Sequence, residues 1–183
     1  MAKMIATREA YGRALASLGD ANPNVVALDA DLSASTKTVE FAKRHPERFI
    51  QMGIAEQDMI GTAAGLAASG KIAFASTFAV FASGRAFDQV RNAVCYSRLN
   101  VKICATHAGL TVGEDGASHQ SVEDMALMRA IPNMTVIVPS DAVQTAWAVN
   151  AAAALDGPVY MRLGRAPVPA IYEEGRKFAI GKA

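Results

Sequence analysis

Six short apolar runs limit most strongly what this chain can fold into: "VVAL" at 25–28, "FIQM" at 49–52, "IAFAS" at 72–76, "VKICAT" at 101–106, "MTVIV" at 134–138 and "VYMRL" at 159–163. Each has the length and bounding residues of a strand, and most are separated by stretches with helical spacing. That alternation predicts an α/β fold: a doubly wound, mainly parallel six-stranded sheet with helices on both faces. In "TREAYGRALASLGD", Tyr11, Ala14, Leu15 and Leu18 share one face, with Thr7 expected to cap the start and Gly19 to mark the end. "SDAVQTAWAVNAAAAL" opens on the capping pair Ser140 and Asp141, and "EQDMIGTAAGLAASG" is so uniformly small and apolar that burial on most sides, by the sheet or by another subunit, is expected. With 183 residues, 51% of them hydrophobic, the chain can bury one sizeable core, which excludes a disordered or fibrous protein.

Charge excludes further classes. The formal net charge of +1, spread along the chain, favours neither nucleic acid nor an anionic membrane. No apolar run approaches the roughly 18 residues of a membrane span, and "MAKMIATREA" lacks the apolar segment of a secretory signal. A cytoplasmic setting is expected, with Cys95 and Cys104 as buried, reduced thiols.

Open parallel sheets bind ligands where loops leave the carboxyl ends of strands. Four loops would meet there: "DADLSAST", "GIAEQ", "STFAVF" and "HAGLTVGEDGASHQ". The last gathers His107, Glu114, Asp115 and His119 between glycines at 109, 113 and 116, groups able to donate, accept or shuttle protons near neutral pH. Twelve positions separate the histidines and no HxxxH or HxH pair exists, so no metal ligands are assigned. Glu56, between an apolar strand and an apolar helix, is either a helix-start carboxylate or a desolvated carboxyl sharing a proton with a ligand nitrogen. Phe78 and Phe81 are either core residues or a platform for a planar heterocycle. Arg165, past the last strand, suits an anionic group such as phosphate, whereas neither a Walker loop nor GxGxxG is present.

Taken in order, "DADLSAST", "GIAEQDM", "STFAVF", "THAGLTVGEDGASHQ", "IPNMTVIVPSD" and "RLGRAP" resemble the pyrimidine-binding domain of the transketolases over nearly the whole chain. The resemblance implies thiamine diphosphate as cofactor and transfer of a two-carbon ketol unit between sugar phosphates, as in the pentose phosphate pathway. It assigns Glu56 to N1′ of the aminopyrimidine, Phe81 to a stack on that ring, Phe78 to the pocket wall and Asp31 to the cofactor's vicinity. His107, Asp115 and His119 would face sugar hydroxyls and move protons, and Arg8, Ser35, His107 and Arg165 would hold the phosphate end. Ala55 and Gly84 depart from residues common in the family, an arginine and an aromatic.

The family's metal motif, GDG followed by Asn, is missing, so Mg²⁺ and diphosphate ligands are expected from a partner chain: an N-terminal subunit carrying the diphosphate-binding domain. Residues 1–166 would be the pyrimidine-binding domain and 167–183 a linker toward a further C-terminal domain, with the chain similar to the second subunit of a split transketolase. Homodimerisation, and a heterotetramer on assembly, are expected. The alternatives are a carboligase resembling deoxyxylulose-phosphate synthase, against which His107 counts, and a non-catalytic assembly module.

Overall fold

All six apolar runs become strands of one parallel sheet in the computed structural model, which describes residues 3–182. The strands are β2 (Val25–Asp29), β3 (Phe49–Gln51), β4 (Ile72–Phe78), β5 (Val101–Thr106), β6 (Thr135–Ile137) and β7 (Val159–Arg162), in the order β3-β2-β4-β5-β7-β6. A further antiparallel pair joins β1 (Met4–Ala6) to β8 (Pro167–Pro169), so the start of the segment read as a linker, a Pro-rich strap after β7, is tied down. Neither three-residue segment carries a periodic apolar signal, which is why no such pair was expected from the sequence.

The sheet's alternating side chains divide the core into two layers, as a period of two requires. Val26, Leu28, Ala73, Ala75, Val101, Ile103, Ala105 and Tyr160 pack beneath α4 (Glu56–Ala68) and a following helical region. That region joins π-helical turns Phe81–Arg85 and Val90–Tyr96 through the short α5 (Phe87–Gln89), and α6 (Asp124–Arg129) lies on the same face. Val25, Ala27, Phe74, Cys104, Val159 and Met161 face the other way, toward α1 (Thr7–Ala21), α3 (Val39–Arg44) and α7 (Ala142–Ala154). Burying a Leu, Ile or Phe in such a layer contributes about 1.5–3 kcal/mol. Both cysteines are buried and unpaired, and burial pushes the thiol of Cys95 up to about 11 and that of Cys104 up to about 12.

Two local expectations change. Thr7 does not cap α1; its hydroxyl accepts from the Gly164 amide at 2.8 Å, because the chain after β7 returns beside it. Gly19 is inside α1, where a Cβ would come within 2.6 Å of the Phe41 and His45 rings, so it permits close packing and does not end the helix. Of the two covers left open for α4, the sheet and another subunit, the sheet covers one side only within this chain: Met59, Ile60, Ala63 and Ala64 are buried, while Gln57, Gly61, Gly65 and Ala68 are exposed. The α7 start matches its reading. Asp141 Oδ1 accepts from the Gln144 amide at 2.8 Å, and Ser140 donates from its backbone N and its hydroxyl to Gln144 Oε1. The other oxygen, Asp141 Oδ2, accepts from the Ile171 and Tyr172 amides, both at 2.9 Å, which fastens the strap.

Candidate functional site

Successive connections leave β2 and β4 in opposite directions along the sheet, and these two strands are neighbours. Ligands of open α/β sheets settle at such a reversal. The loop after β2 is built on Asp29, fully buried at the strand's end. Its Oδ1 accepts from the Leu32 amide at 2.6 Å, and its Oδ2 from the hydroxyls of Thr36 at 2.7 Å and Thr38 at 2.8 Å. Burial raises the Asp29 pKa, against the opposing pull of those bonds. The short helix α2 (Ser33–Thr36) is thereby fixed, and the Ser35 carbonyl accepts from Arg8 Nη1 at 2.8 Å. Asp31 is exposed at φ 63°, and its amide donates to Gln51 Oε1 at 2.7 Å. Among the described contacts, none joins the Asp31 carboxylate to the other candidates.

Glu56 opens α4 but does not cap it; Ala55 holds the cap position, with no side-chain bond there. The Glu56 side chain is only 1% exposed, and its Oε2 accepts from Arg85 Nη1 at 2.8 Å, while Oε1 has a long contact of 3.5 Å from the Thr77 hydroxyl. The carboxylate is therefore desolvated and ion-paired from one side. Arg85 also lies over the Phe81 ring, 4.4 Å from its centroid. Phe78 and Phe81 are nearly parallel at 6.0 Å, and the His119 ring stands edge-on to Phe81 at 5.4 Å. His107 stacks on Phe78 with centroids 3.8 Å apart. β4 and the π turn after it thus join Glu56 to the histidine loop through aromatic rings.

His107 is 2% exposed, at φ 56°, with Nδ1 3.0 Å from the Thr106 hydroxyl. Its pKa is lowered to about 4, first by burial and then by the Arg8 charge, with Arg165 and His119 adding to the effect and Asp115 opposing it. At neutral pH the ring is an uncharged hydrogen-bonding group, which narrows the proton-shuttling role expected from composition. Arg8 is likewise shifted down, by burial and then by Arg165, so two guanidinium groups converge beside His107. Buried Arg8 Nε has no hydrogen-bond partner among the described residues. A buried, unpaired donor on a cation costs about 1–3 kcal/mol, a cost that an incoming oxyanion would remove. Arg165 Nη2 reaches the exposed Glu114 at 3.3 Å, and a Cβ on Gly113 would fall 2.4 Å from Arg165 Nη1, so a larger residue there would displace the guanidinium.

Sequence reading alone singled out neither Arg85 nor Asp29. The clue to Arg85 was a basic residue four positions after the second phenylalanine of the pair; the clue to Asp29 was a carboxylate ending an apolar strand and followed by hydroxyl residues. His45, the third histidine, is structural: its Nδ1 lies 2.7 Å from Arg48 Nη2, away from these loops. Cavities of about 390 and 610 Å³ lie along α1 and α7, lined by residues such as Ile5, Ala142, Ala146 and Asn150. Volume would favour them, but none of the converging titratable groups lines either one, and the chemistry lies with the loops.

The arrangement offers a buried carboxylate beside an aromatic platform at one end and a converging pair of guanidinium groups at the other. Such a surface suits a planar nitrogen heterocycle and a phosphorylated ligand. Residues 3–170 match the family model described as transketolase, pyrimidine binding domain. A protein of Methanocaldococcus jannaschii named as a transketolase C-terminal section is 58% identical over 177 residues, which cover 96% of this chain and 56% of that protein. Human transketolase is 45% identical over 98% of this chain and 29% of its own length. A solved structure described as a split gene transketolase, inactive beta4 tetramer, aligns with a TM-score of 0.88 and 61% identity over 97% of this chain and 57% of that one. The Pichia stipitis transketolase in complex with sedoheptulose 7-phosphate aligns at 0.82 and 28% identity, over 92% of this chain and 27% of that one. This chain thus spans about half the length, or less, of these relatives.

Proposed function

Because the chain belongs to the transketolase pyrimidine-binding domain family, we propose that it is one subunit of a thiamine diphosphate-dependent transketolase whose active site is shared with a diphosphate-binding partner chain. The observation that carries this reading is the joining of Glu56, buried and ion-paired, to Phe81, Phe78 and the two histidines at the sheet's carboxyl edge. When bound, the cofactor supplies the nucleophilic carbon that carries the two-carbon unit. Glu56 holds N1′ of the ring and shares a proton with it, Phe81 stacks on the ring, and Phe78 closes the wall behind.

His107, neutral at working pH, donates or accepts a hydrogen bond at a sugar hydroxyl without carrying charge into the site. His119 and Asp115 orient further hydroxyls and relay their protons. Arg8 and Arg165, with Ser35 bracing Arg8, hold the substrate phosphate, a reading supported by the unpaired Nε of Arg8. Asp31 lines the approach to the cofactor.

Mg²⁺ and diphosphate ligands belong to the partner in this reading, and residues 167–183 lead toward a further domain. The exposed side chains of Ile54 and Leu110, which flank the site in sequence, suit an interface, as does the exposed side of α4. The assembled enzyme would be a heterotetramer of two such pairs. Replacing Glu56 by Ala in the assembled complex is expected to lower turnover by about 10²- to 10⁴-fold, the range of a lost acid–base group. Unchanged steady-state turnover in the intact complex would remove Glu56 from the chemistry and favour an assembly role for the chain.

A further inference from the structure

We propose that Arg85 gates the ring subsite: its guanidinium makes both contacts that an aminopyrimidine would make there, so guanidinium and ring exclude one another. The inference rests on the assignment of Glu56 and Phe81 to the ring. Arg85 Nη1 donates to Glu56 Oε2 at 2.8 Å, and the plane-bearing end of the same side chain lies 4.4 Å from the Phe81 centroid. An aminopyrimidine held by this pair is also a flat, nitrogen-bearing ring, bonded to that carboxylate and stacked on that phenyl group.

The two partners are more enclosed than the arginine. Glu56 is 1% exposed and Phe81 is half-buried beside the buried Phe78, whereas the Arg85 side chain is 46% exposed and is bounded by solvent on its outer side. The backbone sets this up: Phe81–Arg85 is a π turn, closed by a bond from the Ala86 amide to the Phe81 carbonyl at 3.1 Å. It carries Arg85 back over the ring four residues before it, and π turns concentrate at functional sites. The other Glu56 oxygen has only the 3.5 Å contact from Thr77, so Arg85 is the principal group that compensates the buried charge. Ring entry thus exchanges one charge-assisted partner for another, and the carboxylate is never left bare.

Titration calorimetry of the chain assembled with a diphosphate-binding partner subunit, with thiamine as probe, tests the gate. Arg85→Ala should bind thiamine about tenfold more tightly than the wild type, since a competing charge-assisted bond has been removed. Arg85→Lys, which keeps the charge and protects the fold but loses the flat fork, should give a smaller gain in the same direction. Glu56→Ala should abolish the binding. If both Arg85 variants bind as the wild type does, or more weakly, while Glu56→Ala still abolishes binding, the gate is overturned and the ring subsite stands. If Glu56→Ala leaves binding intact, or no form binds thiamine, the ring assignment falls and the gate falls with it.

Discussion

The two ends of the parallel sheet treat their buried cations differently. At the amino end, Lys102 is fully buried, yet its Nζ donates to the Leu155 carbonyl at 2.7 Å and the Gly157 carbonyl at 2.6 Å. Arg48 ties the same end together through the carbonyls of Asn22, Val25 and Gly19 at 3.0–3.2 Å. At the carboxyl end, Arg8 Nε and Ser121 Oγ are buried without partners among the described residues, and Asp31 and His107 hold left-handed backbone at the ends of β2 and β5; the amino end has its own unpartnered atom, Asn100 Oδ1, and left-handed backbone at Arg98 and Asn133. Left-handed backbone in a non-glycine residue costs of order 1–3 kcal/mol and persists where the surroundings impose it. The buried cation of the amino end is held by backbone carbonyls, whereas that of the carboxyl end keeps a donor unpaired among the described residues.

The sharpest way to break this contrast is at the amino end. Lys102→Met should strand two buried carbonyls and lower unfolding free energy by roughly 2–4 kcal/mol, with turnover per folded complex unchanged. Denaturant melts and assays on the same samples separate the two effects, and a change in turnover with no change in stability would reverse the assignment of the ends.

Next in size is the pH dependence of the carboxyl end. The folded pKa of His107, about 4, lies below its ordinary 6.5, so its contribution is complete above 6.5 and is lost as pH falls toward 4. Melts at pH 7 and 4.5 should show wild type losing roughly 2–3 kcal/mol more than His107→Gln. Equal losses would mean that the ring protonates freely in the folded chain.

The smallest effect sharpens the anion site. Arg165→Lys in the assembled enzyme should raise KM for a phosphorylated donor about tenfold and leave an unphosphorylated donor unaffected, since lysine lacks the two-pronged fork. Equal effects on both donors would place Arg165 outside phosphate recognition.

All six strands were legible because their signal is local: a short apolar run bounded by turn formers, repeated between helical spacings. The site was partly legible for the same reason. Glu56, Phe78, His107 and Arg165 lie within a few residues of a strand's carboxyl end, where topology directs ligands. What periodicity could not carry is pairing at a distance. Arg85 meets Glu56 across 29 positions, and Thr7 meets Gly164 across 157, contacts that only the folded sheet creates. Gly19 misled for a related reason: in sequence a glycine near a helix end resembles a stop, whereas here the neighbouring rings of Phe41 and His45 require it. The burial of α4 stayed open between the sheet and another subunit because composition does not distinguish a face packed on a sheet from one awaiting another chain.

Reconstitution tests the incompleteness of the carboxyl end most directly. The chain is mixed with increasing amounts of a diphosphate-binding transketolase subunit, in the presence of thiamine diphosphate and Mg²⁺, and ketol transfer is followed. No turnover is expected from either chain alone, with activity rising to a plateau at one partner per chain. Full turnover by this chain without a partner, or none at any ratio in a complex shown to assemble, would contradict the shared site.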